Sequence, residues 1–251
     1  MTSSWTNEAA IRQWDATATR EAMEATAQDG DFAKRHLVNP VLERLLGDVH
    51  GRRVLDAGCG NGYFSRMLAR RGARVVGVEP TGSMTAFARE REVRERLGIT
   101  YVRADLARLP EDTGPARGPF DAVVSSMVFM AIPDWRPAMR SCVRALRPGG
   151  RFVFAVVHPA FEGLRAEWRE HGEYRVRRYL EEYEIPGPVA CDFHRPLSAY
   201  LNELASLGCR LREVVEPGLD PVVSEGARDA VPGLDGYVHL PNFLVVAADA
   251  P

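Results

Sequence analysis

The sequence predicts an α/β fold in which helices cover both faces of a parallel β-sheet. Short apolar runs alternate with helical patterns between residues 53 and 157, which is the order of elements in a βαβ chain. A glycine-rich turn at residues 58–62 separates the first apolar run from the first helix. Polar residues end the predicted strands at the sheet edge where open α/β folds bind ligands, namely Asp56, Glu79, Asp105, Ser126 and His158.

Two helical segments are predicted ahead of the sheet. Residues 6–28 are rich in alanine, place apolar residues at helical spacing and begin at Thr6, a favoured N-cap residue. The segment Asp29-Gly30-Asp31 is expected to end that helix. A second helix is predicted from Asn39, as its N-cap, to Gly47, as its C-cap.

Five strands and three helices are predicted in the alternating region. Residues 147–150, Arg-Pro-Gly-Gly, are interpreted as a turn into the fifth strand. The predicted strands span residues 53–57, 74–78, 99–103, 120–125 and 151–157. The first predicted helix follows the first strand and ends at about residue 71, the second contains Met84 and Phe87, and the third runs from 134 to 146.

Beyond His158 the alternation of strand and helix stops. Residues 160–195 are rich in charged and aromatic side chains, and the pattern from Tyr174 to Leu180 predicts a strand. This insertion and a later proline- and glycine-rich loop are expected to flank a pocket mouth, because long loops in compact domains are often lids. The remaining predicted elements are a helix over 197–207, a strand over 209–216, the loop over 217–241 and a last strand over 243–248.

The glycine turn lies in the segment Val54-Leu-Asp-Ala-Gly-Cys-Gly-Asn-Gly-Tyr-Phe64. Glycine permits both a left-handed backbone and the close approach of a ligand to the chain. The glycines step GxGxG after an acid, so the turn fits the GxGxxG pattern of dinucleotide-binding proteins less well. Asp-Ala-Gly-Cys-Gly-Asn-Gly resembles the first motif of class I S-adenosylmethionine (SAM)-dependent methyltransferases, and the resemblance covers residues 35 to 160 best.

This resemblance implies a doubly wound, Rossmann-like sheet of seven strands, six of them parallel and the last antiparallel. It implies a single domain over residues 1–251, made of an N-terminal helical cap (1–50), a cofactor-binding core (51–158), and a substrate insertion with the C-terminal strands (159–251). It also implies SAM as the cofactor and a small-molecule methyl acceptor, because the chain resembles bacterial methyltransferases of secondary metabolism.

Acids at strand ends suit a ribose, because a carboxylate accepts hydrogen bonds from both hydroxyls, and Glu79 has the spacing for this role. The resemblance gives Glu79 the same role. It places the adenine amino group at Asp105 and the backbone of Leu106, in the motif Arg-Ala-Asp-Leu-Ala-Arg-Leu-Pro. Ser126 falls in the segment that resembles the family's fourth motif, whose residues line the sulfur side of the cofactor.

Other cofactor contacts have two interpretations each. Asp56 either orients the ammonium group of the cofactor or caps the glycine turn, and Pro80 and Met84 either cover the adenine ring or belong to the core. A cationic side chain, Arg35 or its neighbour His36, is expected to hold the cofactor's carboxylate. The whole predicted cofactor site is Arg35, Asp56, Gly58, Cys59, Gly60, Gly62, Glu79, Pro80, Met84, Asp105, Leu106 and Ser126.

A methyl group on a sulfonium is electrophilic, so the protein must align a nucleophile and, for an alcohol or phenol, provide a general base. Histidine is the commonest base, which makes His158 the first catalytic candidate and His194 the second. In the alternative interpretation, each of these histidines is structural and its ring bonds a backbone carbonyl. Phe129-Met130 stands where many relatives carry a histidine. Arg178 and Tyr179 are interpreted as substrate contacts or as solvated surface.

The composition excludes several classes of protein and partner. A formal net charge of -2 gives no overall attraction to nucleic acid, and no apolar run approaches the roughly 20 residues of a membrane span. The N-terminal residues lack the pattern of a signal peptide, and four scattered cysteines form no CxxC pair. We therefore expect a cytoplasmic enzyme with reduced thiols, no metal, no membrane or nucleic-acid partner, and a monomeric or homodimeric state.

Two other functions are compatible with the same residues. The first is an enzyme of this fold that binds SAM without transferring its methyl group, as in a cyclisation. The second is an NAD-dependent oxidoreductase. A non-enzymatic binding module is disfavoured by the complete set of strand-end acids. Tracing a labelled methyl group distinguishes the first alternative, and titration with both cofactors distinguishes the second.

Overall fold

The computed structural model describes residues 5–109, 114–187 and 190–251. The predicted alternation of strand and helix is present in it, and Pro110, the last residue of the adenine-site motif, lies outside the described residues. The strands are β1 (Arg53–Ala57), β2 (Arg74–Glu79), β3 (Thr100–Arg103), β4 (Phe120–Ser126), β5 (Leu146–Val157), β6 (Tyr183–Ile185), β7 (Asp192–His194), β8 (Arg210–Val215) and β9 (Phe243–Asp249).

Seven strands form one sheet in the order β3-β2-β1-β4-β5-β9-β8. The pairings among β1 to β5 are parallel, whereas β9 runs antiparallel to both of its neighbours, β5 and β8. Six strands therefore share one direction and the last strand opposes them, which confirms the predicted topology. The short strands β6 and β7 pair with each other outside this sheet.

Helices precede the sheet, connect its strands and cover its C-terminal part. A π-helical turn (Lys34–Val38) and two 3-10 turns (Leu106–Arg108 and Phe129–Ala131) supplement them. The α-helices are α1 (Asn7–Thr17), α2 (Arg20–Ala25), α3 (Asn39–Leu46), α4 (Tyr63–Arg70), α5 (Gly82–Glu95), α6 (Trp135–Arg144), α7 (Leu164–His171), α8 (Leu197–Ser206), α9 (Pro221–Ala227) and α10 (Gly236–His239).

Each face of the sheet carries its own apolar core. Along β1, Val54 joins the core under α3 and α4, whereas Leu55 joins the core under α6 and α8. Successive side chains of a strand point to opposite faces, so a strand buried on both faces is continuously apolar. Phe152 and Phe154 of β5 fill the second core together with Tyr200 of α8. This sandwich fixes the strand ends that form the candidate site.

The N-terminal helices differ from their prediction in two places. The predicted helix over 6–28 is two helices, because Thr19 caps a new helix by accepting the Ala22 amide, just as Thr6 caps α1. Asn39 is not an N-cap, since the π-helical turn runs directly into α3. Its side chain instead donates to the carbonyl of Asp29 and accepts the Tyr63 hydroxyl.

Three predictions in the later part of the chain are also corrected. The strand β5 begins at Leu146, and the predicted turn at 147–150 is an irregularity within its pairing to β4. Residues 174–180 do not form the predicted strand, since Arg178 has a left-handed backbone (φ 53°). The strands of the insertion are β6 and β7, which pair with each other. The loop over 217–241 contains α9 and α10, because Asp220 caps a helix that starts at proline.

Helix α1 lies across the carboxyl edge of the sheet, and three of its side chains accept backbone amides from neighbouring elements. Asn7 accepts the amide of Asp134 at the start of α6 (2.9 Å), and Asp15 accepts the amide of Ser83 at the start of α5 (2.8 Å). Between them, Gln13 accepts the amide of Cys191 beside β7 (3.0 Å). A space is thereby enclosed between α1 and the strand ends. Among the described residues, no helix has the length and apolar character needed to cross a membrane.

Candidate functional site

A cavity of about 490 Å³ lies between the carboxyl edge of the sheet and the helices α1 and α2. Its floor is the glycine turn and the ends of β2 and β4, and its wall on one side is the segment 127–133. The hairpin strand β7 reaches it through Asp192. Of the predicted cofactor residues, the cavity is lined by Gly58, Cys59, Gly60, Glu79, Pro80, Met84, Asp105, Leu106 and Ser126.

The glycine turn gives the cavity a bare backbone wall at one residue. Gly60 has a left-handed backbone (φ 54°), and a Cβ built on it meets nothing nearer than Met84 Sδ at 3.8 Å. Gly58 and Gly62 are crowded by the protein instead, since a Cβ there would lie 2.4 Å from Val128 and 2.5 Å from the Tyr101 hydroxyl. Gly62 does not line the cavity. Close approach of a ligand is therefore possible at Gly60.

The amides of this turn are already hydrogen-bonded to β2. Gly58 and Cys59 both donate to the carbonyl of Val78, at 2.8 and 3.0 Å, and Gly60 donates to Glu79 Oε2 at 3.0 Å. These three amides are therefore not free to bind a ligand. The turn contributes its shape, and the charged groups of the cavity come from side chains.

Glu79 is the buried carboxylate at the centre of the cavity floor, with 6% of its surface exposed. Its Oε1 accepts both the amide and the hydroxyl of Thr81, at 3.0 and 2.8 Å, while Oε2 holds Gly60. Burial raises the pKa of Glu79 above its ordinary value, and the bonds from Thr81 and Gly60 oppose that rise. The same bonds fix the rotamer of a carboxylate that still presents acceptor capacity to the cavity.

Asp105 and Leu106 follow β3 and lie at the same cavity. The Asp105 carboxylate caps the 3-10 turn by accepting the Ala107 amide at 2.9 Å, and Leu106 is buried. Pro80 and Met84 line the cavity beside Glu79, at the start of α5. The cavity therefore combines two acids and an apolar pair, which come from the end of β2, the start of α5 and the turn after β3.

Asp56, predicted as a ligand or as a cap of the turn, takes neither position. Its carboxylate is buried in β1, accepts the Ser65 hydroxyl of α4 at 2.6 Å and does not line the cavity. Burial raises the pKa of Asp56 to about 6. The side chain therefore joins the first strand to the first crossover helix.

The cationic group at the cavity is Lys34, not the predicted Arg35. The side chain of Arg35 is half exposed, pairs with Asp29 at 2.8 Å and is absent from the cavity lining, and so is His36. Lys34 lines the cavity and pairs with Asp31 at 3.2 Å. It is the only lysine of the sequence, which is the signal that sequence reasoning left unused.

His158 lies at the predicted sheet edge, but its ring does not line the cavity. The Ala160 amide donates to Nδ1 at 3.1 Å, so Nε2 carries the proton and donates to Glu216 at 2.6 Å. Both ring nitrogens are engaged, and the side chain is 4% exposed. The structure thus gives His158 a role in joining the end of β5 to the end of β8.

His194 is likewise held within the protein and is not part of the cavity lining. Its Nδ1 faces Glu162 and its Nε2 faces the carbonyl of Tyr179, both at 2.9 Å, and its ring stacks on Tyr183. Burial by itself lowers the pKa of His194, but the bonds to Glu162 and Tyr179 outweigh it and raise the pKa. A ring that donates from both nitrogens has no lone pair to accept a proton, so His194 is not a base. It holds the β6–β7 hairpin in place instead.

Asp192 is the cavity residue that sequence reasoning missed. It begins β7, lines the cavity, and its buried Oδ1 has no hydrogen-bond partner among the described residues. Burial raises the pKa of Asp192 to about 6, and the charge of Glu162 adds to the rise while Arg195 opposes it. A carboxylate that has a raised pKa and belongs to the lining of a cleft is a candidate general base.

Arg195 positions the wall that faces this acid. Its guanidinium is buried between Trp135 and Phe193 and donates to the carbonyls of Phe129, Ile132 and Pro133, at 2.7 to 3.0 Å. Three backbone acceptors at one donor fork hold the segment 129–133 in a single arrangement. Together with His194, Arg195 secures the strand that carries Asp192.

Comparison with known protein families identifies one matching domain model. A model described as a methyltransferase domain matches residues 55–154, which contain the last three residues of β1, all of β2 to β4 and most of β5. Ubiquinone biosynthesis O-methyltransferases are similar over part of the chain. The protein of Alkalilimnicola ehrlichii is 29% identical over 154 residues, and that of Idiomarina loihiensis is 29% identical over 170 residues. The first match covers 60% of this chain and 56% of the relative, so the chain spans little more than half of that protein.

Solved structures extend the similarity over most of the chain. A SAM-dependent methyltransferase from Mesorhizobium loti is 31% identical with a TM-score of 0.69, and the match covers 84% of this chain and 96% of that one. The (4+2)-cyclase SpnF has a TM-score of 0.68 at 17% identity and is covered to 97%. The second similarity is one of fold alone.

Proposed function

Because this chain belongs to the SAM-dependent methyltransferases, we propose that it transfers a methyl group to an O, N or C atom of a small molecule held in the cavity. Bound SAM supplies an electrophilic methyl group on a positively charged sulfur. The observation that carries the proposal is one cavity lined by the bare Gly60 and by the carboxylates Glu79, Asp105 and Asp192. The resemblance to secondary-metabolism enzymes supports a natural-product intermediate as the acceptor.

The residues at the cavity fit SAM group by group. Gly60 leaves the space that a side chain would fill, and Glu79 offers carboxylate oxygens for the two ribose hydroxyls. Asp105 and the backbone beside Leu106 suit the adenine amino group, as the resemblance implies. Lys34 supplies the positive charge for the carboxylate of the cofactor, the role expected earlier of Arg35.

Asp192 is proposed to accept the proton that the nucleophile loses. Its pKa of about 6 leaves it ionised at neutral pH, yet closer to the operating pH than an ordinary carboxylate. Its Oδ1 is buried without a donor among the described residues, so uptake of a proton by this carboxylate relieves the cost of an uncompensated buried charge. The wall held by Arg195 keeps the acceptor against it.

The role of Lys34 is tested against its neighbour. We expect Lys34→Met to weaken S-adenosylhomocysteine binding by about tenfold, because a charge-assisted bond contributes roughly 1.5–3 kcal/mol and Asp31 already shares the lysine. Arg35→Met is the matched control, since Arg35 pairs with Asp29 away from the cavity, and it is expected to bind normally. Calorimetric titration measures both. Equal loss in the two variants would contradict the assignment.

The glycine turn offers a second matched pair. Gly60→Ala places a methyl group in open cavity space and is expected to lower stability by about 1–2 kcal/mol, the cost of a left-handed alanine, and to weaken cofactor binding about tenfold. Gly58→Ala collides with Val128 and is expected to be destabilised further. Urea unfolding and calorimetry rank the two. Normal binding by a folded Gly60→Ala protein would rule out close approach there.

The experiment that tests the proposed function follows a labelled methyl group. The protein is incubated with methyl-labelled SAM and separate panels of phenols, alcohols and amines, and the organic products are counted. Label in a product that depends on the protein is the expected result. Tight binding of S-adenosylhomocysteine with no label in any product would contradict it and favour the alternative, a SAM-binding enzyme that does not methylate.

A further inference from the structure

The charged groups of the cavity are unbalanced in favour of acids. Among the described residues, four carboxylates line it and one cation does, although arginine and lysine make up 32 of the 251 residues. The cation, Lys34, is paired with one of the acids, Asp31, at 3.2 Å. No described arginine side chain lines the cavity. The described lining residues therefore offer no free positive charge to an anion that enters this space.

Four of these groups are already assigned to the cofactor under the proposed function. Glu79 serves the ribose, Asp105 serves the adenine, and Lys34 with Asp31 serves the carboxylate end. Asp192 is then the one remaining charge among the described lining residues, which leaves it for the acceptor. An unpaired buried carboxylate costs free energy until a donor or a cation compensates it.

The surroundings of Asp192 suit a cation on an apolar body. Trp14 lines the same cavity. The residues that precede Trp14 and Asp192 in the sequence are joined, because Gln13 of α1 accepts the amide of Cys191. A tryptophan face and a carboxylate are the two side-chain groups that attract an ammonium most strongly. The adjoining wall is apolar, formed by Met130, Ile132 and other uncharged residues.

We infer that the methyl acceptor is an apolar amine whose nitrogen lies on Asp192, with Trp14 beside it. The inference rests on the proposed function and narrows its substrate class. A bound ammonium gives one proton to the Asp192 carboxylate. The lone pair of the resulting amine forms the N–CH3 bond while the S–CH3 bond breaks, and that bond's electron pair stays on sulfur. The product leaves as a methylammonium ion and Asp192 returns its proton to solvent.

Three probes with one apolar body test the inference: 2-phenylethylamine, 2-phenylethanol and 3-phenylpropionate. Each is titrated by calorimetry into protein saturated with S-adenosylhomocysteine. The amine is expected to bind about tenfold tighter than the alcohol, and the carboxylate not at all. Asp192→Asn is expected to remove the advantage of the amine. Asp235→Asn, which changes the charge equally at a residue outside the cavity, is expected to keep it.

Failure of this inference is distinguishable from failure of the proposed function. S-Adenosylhomocysteine is first titrated alone into the parent protein and into each variant. If it does not bind the parent protein, the proposed function is wrong. With that ligand bound, an alcohol or carboxylate that binds as tightly as the amine overturns the amine assignment. Undetectable amine binding at millimolar concentration also overturns it, and so does an amine preference that survives Asp192→Asn.

Discussion

Replacing Asp192 by asparagine is expected to lower kcat by about 10²–10⁴-fold, the usual contribution of a general base, while S-adenosylhomocysteine still binds. Asparagine keeps the shape of the side chain and its acceptor oxygen but cannot take up a proton at neutral pH. Single-turnover kinetics with labelled SAM measures the chemical step. A variant that retains kcat would remove Asp192 from the mechanism.

The pH dependence of kcat/KM provides a second test of the Asp192→Asn variant. The base acts in its ionised form, so kcat/KM of the parent protein is expected to rise with pH up to about 6 and then level, following the raised pKa of Asp192. This limb is expected to be absent from the residual activity of Asp192→Asn. The control is His158→Gln, whose ring lies outside the cavity and bonds Glu216, and its turnover is expected to change little.

Stability is expected to move opposite to activity. The pKa of Asp192 is raised in the folded state, so its favourable contribution is complete below the ordinary value of 3.8 and is lost as pH rises through about 6. Asparagine removes that loss, and the unfolding midpoint of Asp192→Asn is therefore expected to exceed that of the parent at pH 7 but not at pH 3.5. A lower midpoint at pH 7 would show that the carboxylate supports the fold.

Glu79→Gln is expected to weaken S-adenosylhomocysteine binding by about 100-fold or more. The carboxylate is assigned to two ribose hydroxyls, and each charged hydrogen bond contributes roughly 1.5–3 kcal/mol. Glutamine has one acceptor oxygen, so it cannot also satisfy both Gly60 and Thr81, which Glu79 holds at opposite oxygens. The glycine turn therefore weakens one of its hydrogen bonds to β2 at the same time as the ligand loses an acceptor.

Calorimetry on folded variants separates these effects. Glu90→Gln is the matched control, because Glu90 pairs with Arg20 on the surface of α5, and its binding is expected to be unchanged. Thr81→Val removes the one hydroxyl that donates to the Glu79 carboxylate among the described residues and keeps the carboxylate itself, and an intermediate loss of affinity is expected. Unchanged affinity in Glu79→Gln would contradict the ribose assignment.

The sheet was predictable because its strands are buried on both faces. Continuous apolar runs such as Phe152 to Val156 have one compatible position in an α/β fold, between two helical layers. The positions of the glycine turn and of the acid at the end of β2 were also predictable, since a strand end fixes the edge of the sheet to which a residue belongs. Their place in one cavity follows from topology alone.

The side chain proposed as the general base was not predictable, because tertiary contacts decide which residue reaches the cavity. His158 occupies a strand end, yet the amide of Ala160 turns its ring to Glu216 and away from the cavity. Asp192 belongs to a three-residue strand without periodicity, and it reaches the cavity because Gln13, His194 and Arg195 dock that strand. No local pattern encodes such docking.

The crystal structure of the complex with S-adenosylhomocysteine tests the central claim most directly. We predict the nucleoside in the cavity beside Gly60, with both ribose hydroxyls within hydrogen-bond distance of Glu79, the carboxylate of the ligand at Lys34, and Asp192 in the remaining space. A nucleoside bound elsewhere, or one in the cavity without contact to Glu79, would contradict the account.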